Sequence, residues 1–297
     1  MKTEQELKNI VKSRYSKIAE QTKTDNAASC CGATTTSNKV YHIMMDDYSE
    51  TEGYASDADL GLGCGLPTQF AQIKNGDTVI DLGSGAGNDC FVARHETGVE
   101  GKVIGIDFTP VMIEKARYNA EKLHYNNVEF REGDIDDMPV SDDAADVIVS
   151  NCVLNLVPNK QKVISEIYRV LKPGGHFSIS DIVLVGNLPK ALKEDAEMYA
   201  GCVAGAIQKT EYLQYIMDAG FSNMTIQKEK PIIIPDDILS KYMNEAIIAE
   251  FNSENVGIFS VTVYAEKPSA KHPKVKAHIN AKVQDSNNNC NPMSGYC

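Results

Sequence analysis

The sequence predicts an α/β protein built on a mostly parallel sheet with helices on both faces and an antiparallel edge. Three observations carry this reading. From residue 70 to 184 buried-strand patterns alternate with helix patterns, and parallel strands need such crossovers. The first strand runs straight into a glycine-rich turn that opens a helix. After residue 185 the alternation stops, and two long strand patterns, 221–234 and 256–268, suit an antiparallel pair at one sheet edge.

The elements follow in order. Residues 3–20 predict a helix, with Leu7, Ile10, Val11, Tyr15 and Ile18 at helical spacing. Residues 21–39 are small and polar and predict a loop that carries Cys30 and Cys31. Then strand 77–83 precedes helix 88–96, and strand 101–108 precedes helix 110–123, with Pro110 in its first turn. Strands at 127–134 and 144–151 lead to a helix at 159–175, stopped by Pro173 and the glycine pair, and to a strand at 176–184. Residues 188–207 predict cover helices interrupted near Gly201 and Gly205. A further helix at 210–220 has Thr210 as its cap and Gly220 as its stop. The tail from 269 is rich in Lys and Asn, poor in apolar residues, and reads as disordered. Four stretches result: 1–69, an N-terminal cap helix and cysteine-bearing loops; 70–184, a cofactor-binding domain; 185–268, cover helices and the last strands; and 269–297, the tail.

Composition narrows the function. A net charge of −12 over 297 residues argues against nucleic acid or an anionic membrane surface as partner. The acidic residues Asp46, Asp47, Glu50, Glu52, Asp57 and Asp59 have no Lys or Arg among them and read as a solvated acidic loop. No apolar run approaches the roughly 18 residues of a membrane span. The first twenty residues are too charged for a signal peptide. The expectation is a cytoplasmic protein whose eight cysteines are reduced, each of them core, ligand or reactive thiol.

The strongest motif is VIDLGSGAGND, residues 79–89. Gly83, Gly85 and Gly87 let the backbone approach a ligand at a helix N-terminus. Asp107, at the end of the second strand, is placed for ribose hydroxyls. Position 88 is Asn, where a dinucleotide fingerprint wants Gly, and Asp81 precedes the turn. An acid there repels pyrophosphate and suits an ammonium, so the nucleotide expected is S-adenosylmethionine. Asp134, at the third strand end, is placed for the adenine amino group, and Met112 is a candidate adenine contact. The candidate cofactor residues are therefore Asp81, Gly83, Ser84, Gly85, Gly87, Asp107, Met112, Asp134, Ile135 and Asn151. This set resembles the class I methyltransferases over roughly residues 75–267. The resemblance implies a Rossmann-like seven-stranded sheet.

The acceptor side is marked by cysteines. Cys152 directly follows the fourth strand, where a soft thiol ligand would stand beside the methyl donor. Cys64 lies in LGLGCGLP, between glycines that suggest hinges, and Cys202 lies in the cover segment. Cys90 begins the helix after the glycine turn, a location that can lower a thiol pKa, but Phe91 and Val92 beside it suggest packing. Three contexts, GLGCGLPTQ, SNCVLNL and YAGCVAGA, are similar to those of the arsenite methyltransferases. That resemblance implies that Cys64, Cys152 and Cys202 bind As(III) as thiolates, with no metal cofactor. It assigns residues 185–268 the helices that cover arsenic. It further implies a redox thiol at Cys30 or Cys31, with Cys31 the better match. Arsenite and methylarsenite are the implied substrates, and glutathione or thioredoxin the reductant. Arsenic carries no proton to remove, so His42, His95, His124 and His176 need no catalytic role. Cys290 and Cys297, in the tail, are either solvent-exposed without function, a collecting site that passes arsenite inward, or ligands for a soft metal. A monomer is the default. Two alternatives stay open: a methyltransferase for a small organic acceptor, which would keep its activity in Cys152→Ser, and a thiol metalloid sensor that binds arsenite without consuming S-adenosylmethionine.

Overall fold

The computed structural model describes residues 3–21, 46–186, 205–233, 239–240, 244–246, 248 and 257–269. The strands form where β-branched residues run together: β1 (Thr78–Leu82), β2 (Lys102–Asp107), β3 (Val128–Glu132), β4 (Ala145–Asn151), β5 (Leu171–Val185), β6 (Ser222–Ile232) and β7 (Gly257–Glu266). The helices are α1 (Glu4–Ala19), α2 (Pro67–Phe70), α3 (Asn88–Thr97), α4 (Pro110–Lys122), α5 (Lys160–Val170) and α6 (Lys209–Asp218). The sheet order is β3-β2-β1-β4-β5-β7-β6. Pairings from β3 through β5 are parallel, and β7 runs antiparallel to both β5 and β6. The antiparallel edge expected from the two late strands is thus present.

Alternate residues of each inner strand feed opposite faces. Ile80, Ile104 and Ile148 join one core with Val163, Ile164 and Ile167 of α5. Val79, Val103 and Val147 join the other with Phe91 of α3 and Ile113 of α4. Burial on both faces explains why these strands read as continuous apolar runs. α1 starts with a capping box, in which the Thr3 side chain accepts from Glu6 N–H and Glu6 returns to Thr3 N–H.

Two features position the site. Chain order reverses between β1 and β4, so a crevice opens there above the carboxyl ends of the strands. β5 also outruns β4: Asn151 pairs with Ser180, and residues 181–185 continue upward against β7 as a wall.

Several boundaries differ from expectation. The helix predicted to reach residue 175 ends at Val170, and Leu171 is already extended (φ −67°, ψ 137°). The residue before a proline avoids the helical region, so the chain turns before Pro173 rather than at it. The glycine pair then lies against the end of β7: Gly174 N–H donates to Lys267 O (2.9 Å) and Lys267 N–H to Gly175 O (2.8 Å). The acidic stretch is also less solvated than expected. Asp46 pairs with Lys228 and Lys230, both at 2.8 Å, and Asp59 is buried. Cys30, Cys31, Cys202, Cys290 and Cys297, the predicted segment 188–204 and residues 270–297 lie outside the described residues. Among the described residues no helix is long and apolar enough to cross a membrane.

Candidate active site

A cleft open to solvent occupies the crevice. Its floor is the β1–α3 turn, where Gly83, Gly85 and Gly87 take φ of +68°, +51° and +100°. At Gly85 an added Cβ would meet nothing within 4 Å, so this backbone faces open space. Gly83 is needed for a different reason, since a Cβ there would stand 2.5 Å from Val153. Asp107 braces the turn: its carboxylate accepts from Gly85 N–H (3.0 Å) and Thr109 N–H (2.8 Å). Ser84 Oγ is buried in the cleft wall without a hydrogen-bond partner, and Ile135 lines the wall beside Asp134. A free hydroxyl, a bare glycine and a braced carboxylate at the end of β2 fit a nucleoside ligand.

The predicted residues do not all face this space. Met112 is 1% exposed and packs in the core with Phe91 and Phe130, while Phe108 and Thr109 line the cleft at that level. Met112 lies in the first turn of α4, on the face turned to the sheet, so it serves packing. Gly87 is also a packing residue: a Cβ would come within 2.9 Å of both Phe91 and Phe130. Asp81 is 2% exposed and lies beneath the turn, accepting from the Cys90 thiol at 3.3 Å. Burial and then Asp81's charge push the Cys90 thiol well up, opposite to the lowering that its place at the helix start suggests.

Asp89, in the first turn of α3, lines the cleft where Asp81 does not. Burial raises it to about 6, against hydrogen bonds from Tyr48 and Asn151 that lower it. Burial, and then the charge of Asp89, hold Asp81 well above the usual carboxylate range. Burial also raises Asp107, opposed by the two backbone donors. Carboxylates crowded into one partly dry space favour protonation until a cation joins them. The site is therefore tuned for a positively charged ligand.

Cys64 and Cys152 both lie by the end of β4. Cys152 follows β4 in a left-handed conformation (φ +62°), which costs energy for a residue with a Cβ. Its N–H donates to Ser180 O (2.7 Å), and it lines the cleft. Cys64 is fully buried and its backbone is held at both ends. Its N–H donates to Asn151 Oδ1 (2.9 Å), and its carbonyl accepts from Ser260 Oγ (2.6 Å). Asn151 Nδ2 in turn donates to Gly65 O (2.8 Å) and to the Tyr48 hydroxyl, which donates to both oxygens of Asp89 (2.8 and 2.9 Å). One asparagine at the end of β4 thus ties the cysteine loop to the acidic end of the cleft. Burial first, then the charge of Asp181, raise Tyr212 well above its ordinary value and keep it protonated.

The glycines around Cys64, read from the sequence as hinges, are required here by packing. A Cβ at Gly63 would lie 2.6 Å from Asn151 Nδ2, and one at Gly65 would lie 2.4 Å from Ser180 Oγ. They permit close approach to β4 and β5. Asp89, Tyr48 and Lys8 were not readable as site residues. An acid in the first turn after the glycine loop was the available signal for Asp89, but such acids also serve helix dipoles.

Sheet order, glycine turn and braced acids define a class I methyltransferase that uses S-adenosylmethionine. A protein-family model described as a methyltransferase domain matches residues 73–220. The chain is 38% identical over 274 residues to the arsenite methyltransferase of Halobacterium salinarum, covering 89% of this chain and 68% of that one. It is 32% identical over 243 residues to the arsenite methyltransferase of Aquipseudomonas alcaligenes, covering 80% and 68%. The crystal structure of an arsenic(III) S-adenosylmethionine methyltransferase from Chlamydomonas reinhardtii superposes with a TM-score of 0.59 at 28% identity, over 82% of this chain and 77% of that one. The chain belongs to the arsenite methyltransferase family.

Proposed function

We propose that this protein transfers methyl groups from S-adenosylmethionine to As(III) bound by the thiolates of Cys64, Cys152 and Cys202. One observation carries the reading: Cys64 and Cys152, from distant segments, converge at the end of β4, one on the cleft wall and the other bonded to Asn151. Trivalent arsenic is soft and pyramidal, and three thiolates satisfy it. Each thiol exchanges for a hydroxide on arsenite, its proton leaving with that hydroxide as water. Burial disfavours free thiolates and so favours sulfur that is bonded to arsenic. When bound, S-adenosylmethionine supplies a methyl group on a cationic sulfur, which passes to the arsenic lone pair.

The chain's own residues then bind and orient. Asp107 accepts from the ribose hydroxyls, Asp134 from the adenine amino group, and Asp89, with Asp81 behind it, faces the cationic end. Asn151 keeps the arsenic-bearing loop in register with that end, so the barrier falls mainly through positioning. No side chain removes a proton from arsenic, so no general base is required.

Methylation takes arsenic formally to the pentavalent state. The thiol at Cys30 or Cys31 loses its proton and attacks the arsenic-bound sulfur of Cys64; the As–S bond breaks with its electron pair left on arsenic, which returns to the trivalent state as a disulfide closes. Two glutathione molecules, or the dithiol of thioredoxin, reopen it and are themselves oxidised to a disulfide. This chemistry needs a reducing compartment, which agrees with the cytoplasm, and it involves arsenite and methylarsenite as substrates of a monomer without a metal cofactor. Single Cys64→Ser, Cys152→Ser and Cys202→Ser variants test the reading: each loses arsenite methylation while still binding S-adenosylhomocysteine. Retained methylation in Cys64→Ser overturns the three-thiolate site.

A further inference from the structure

α1 crosses the nucleoside end of the cleft. Lys8, Val11 and Tyr15 line it from above, and Val11 is 1% exposed. The helix is held at both ends. Near its start Lys8 Nζ donates to Asp134 Oδ2 (2.5 Å) and Asp136 Oδ2 (2.9 Å). At its end Lys115 Nζ donates to Ala19 O (3.0 Å) and Gln21 O (3.3 Å). Asp134, expected to meet the cofactor's adenine amino group, already carries a cation from the N-terminal helix.

The contact does two things. It fixes the Asp134 carboxylate, whose Oδ1 is held separately by Asp136 N–H (3.2 Å). Each carboxylate oxygen accepts more than one hydrogen bond, so Asp134 keeps capacity for a ligand amino group while its orientation is set. Lys8 is also a partition. It and Asp134 border both the cleft and an outer hollow lined by Gln5, Asn9 and Lys12. Lys8 and Asp134 thus stand between the two spaces at the nucleoside end. Among the described residues Lys8 is the only Lys or Arg lining the cleft, against Asp59, Asp89, Asp107 and Asp134. Side-chain exposures are 22% for Lys8, 9% for Asp136 and 32% for Asp134, so solvent screens the Lys8–Asp136 pair less than a surface pair and the Lys8–Asp134 pair only partly less.

We propose that α1 is a strap over the adenosine half of the cofactor and that Lys8 is its latch, a positioning residue that aims Asp134 and slows cofactor escape. The inference rests on the cofactor reading above, and S-adenosylhomocysteine bound to the full-length protein is the probe. In Lys8→Met its affinity falls about tenfold, the scale of one lost charge-assisted bond, and its dissociation speeds up correspondingly. Lys8→Arg keeps the charge and recovers affinity to within about threefold of wild type. Asp136→Asn, which leaves Asp134 untouched, weakens binding in the same direction. Trypsin cleavage within α1, at Lys8, Lys12, Arg14 or Lys17, is slowed by the ligand in wild type and not in Lys8→Met, where the remaining sites report. Binding by both Lys8→Met and Asp136→Asn within twofold of wild type, with unchanged dissociation, overturns the latch. A wild-type protein that does not bind the probe overturns the cofactor reading instead.

Discussion

Asp181 gives the sharpest physical test because it is a buried acid without a buried cation bonded to it. It is 0% exposed. Its Oδ1 accepts from Asn155 Nδ2 (2.5 Å) and Ile182 N–H (2.9 Å), while Oδ2 has no partner. Burial raises its pKa to about 7; the backbone donor and the more distant charge of Lys160 only partly oppose this. The unfolded chain ionises it near the ordinary value, so between those two values the folded protein binds more protons than the unfolded one. Stability must then fall as pH rises through this window. From pH 5 to pH 8.5 the loss from this one group is about 3 kcal/mol, two pH units at roughly 1.4 kcal/mol each. Asp181→Asn copies the shape of the protonated acid and does not titrate. The variant is therefore expected to match wild type near pH 5 and to exceed it by about 3 kcal/mol at pH 8.5. Urea unfolding followed by far-ultraviolet circular dichroism suits a chain with no tryptophan. Asp89, also raised, to about 6, shifts both proteins equally and cancels in the difference. A stability difference that stays constant across the range refutes the reasoning.

Two further substitutions probe the cleft. Gly63→Ala places a methyl 2.6 Å from Asn151 Nδ2 and forces that side chain off Cys64 and Gly65; about 1–3 kcal/mol of stability is lost by overpacking. Methylation should fall much further than S-adenosylhomocysteine affinity, as paired activity and calorimetric assays will read. Asp107→Ala leaves Gly85 and Thr109 N–H without their acceptor, at about 1–3 kcal/mol for each buried donor. KM for S-adenosylmethionine should rise at least about tenfold and the melting temperature should drop, measured by initial rates and thermal unfolding.

Much of the architecture was legible because it rests on local signals. Runs such as TVIDL and ADVIVSN mark inner strands whatever surrounds them, and the glycine turn announces a ligand-facing backbone. The cysteine loop was legible only as chemistry. Why glycines flank Cys64 depends on Ser180 and Asn151, far away in sequence, and no local pattern encodes a close approach between distant segments. Asp81 and Asp89 show a similar limit. Both are acids beside the turn, but the pleat sends Asp81 under it and the first turn of α3 sends Asp89 into the cleft. Lys8 reads as one charge on an amphipathic helix until the fold sets it against Asp134. The acidic stretch looked solvated because its cations, Lys228, Lys230 and Lys122, come from elsewhere.

The most direct measurement is arsenic speciation after incubating the purified protein with arsenite, methyl-labelled S-adenosylmethionine and a thiol reductant. Labelled methylarsenicals that require both arsenite and the methyl donor, and that disappear in Cys152→Ser, are the predicted result. A protein that binds S-adenosylmethionine and arsenite yet leaves the arsenic unmethylated contradicts it.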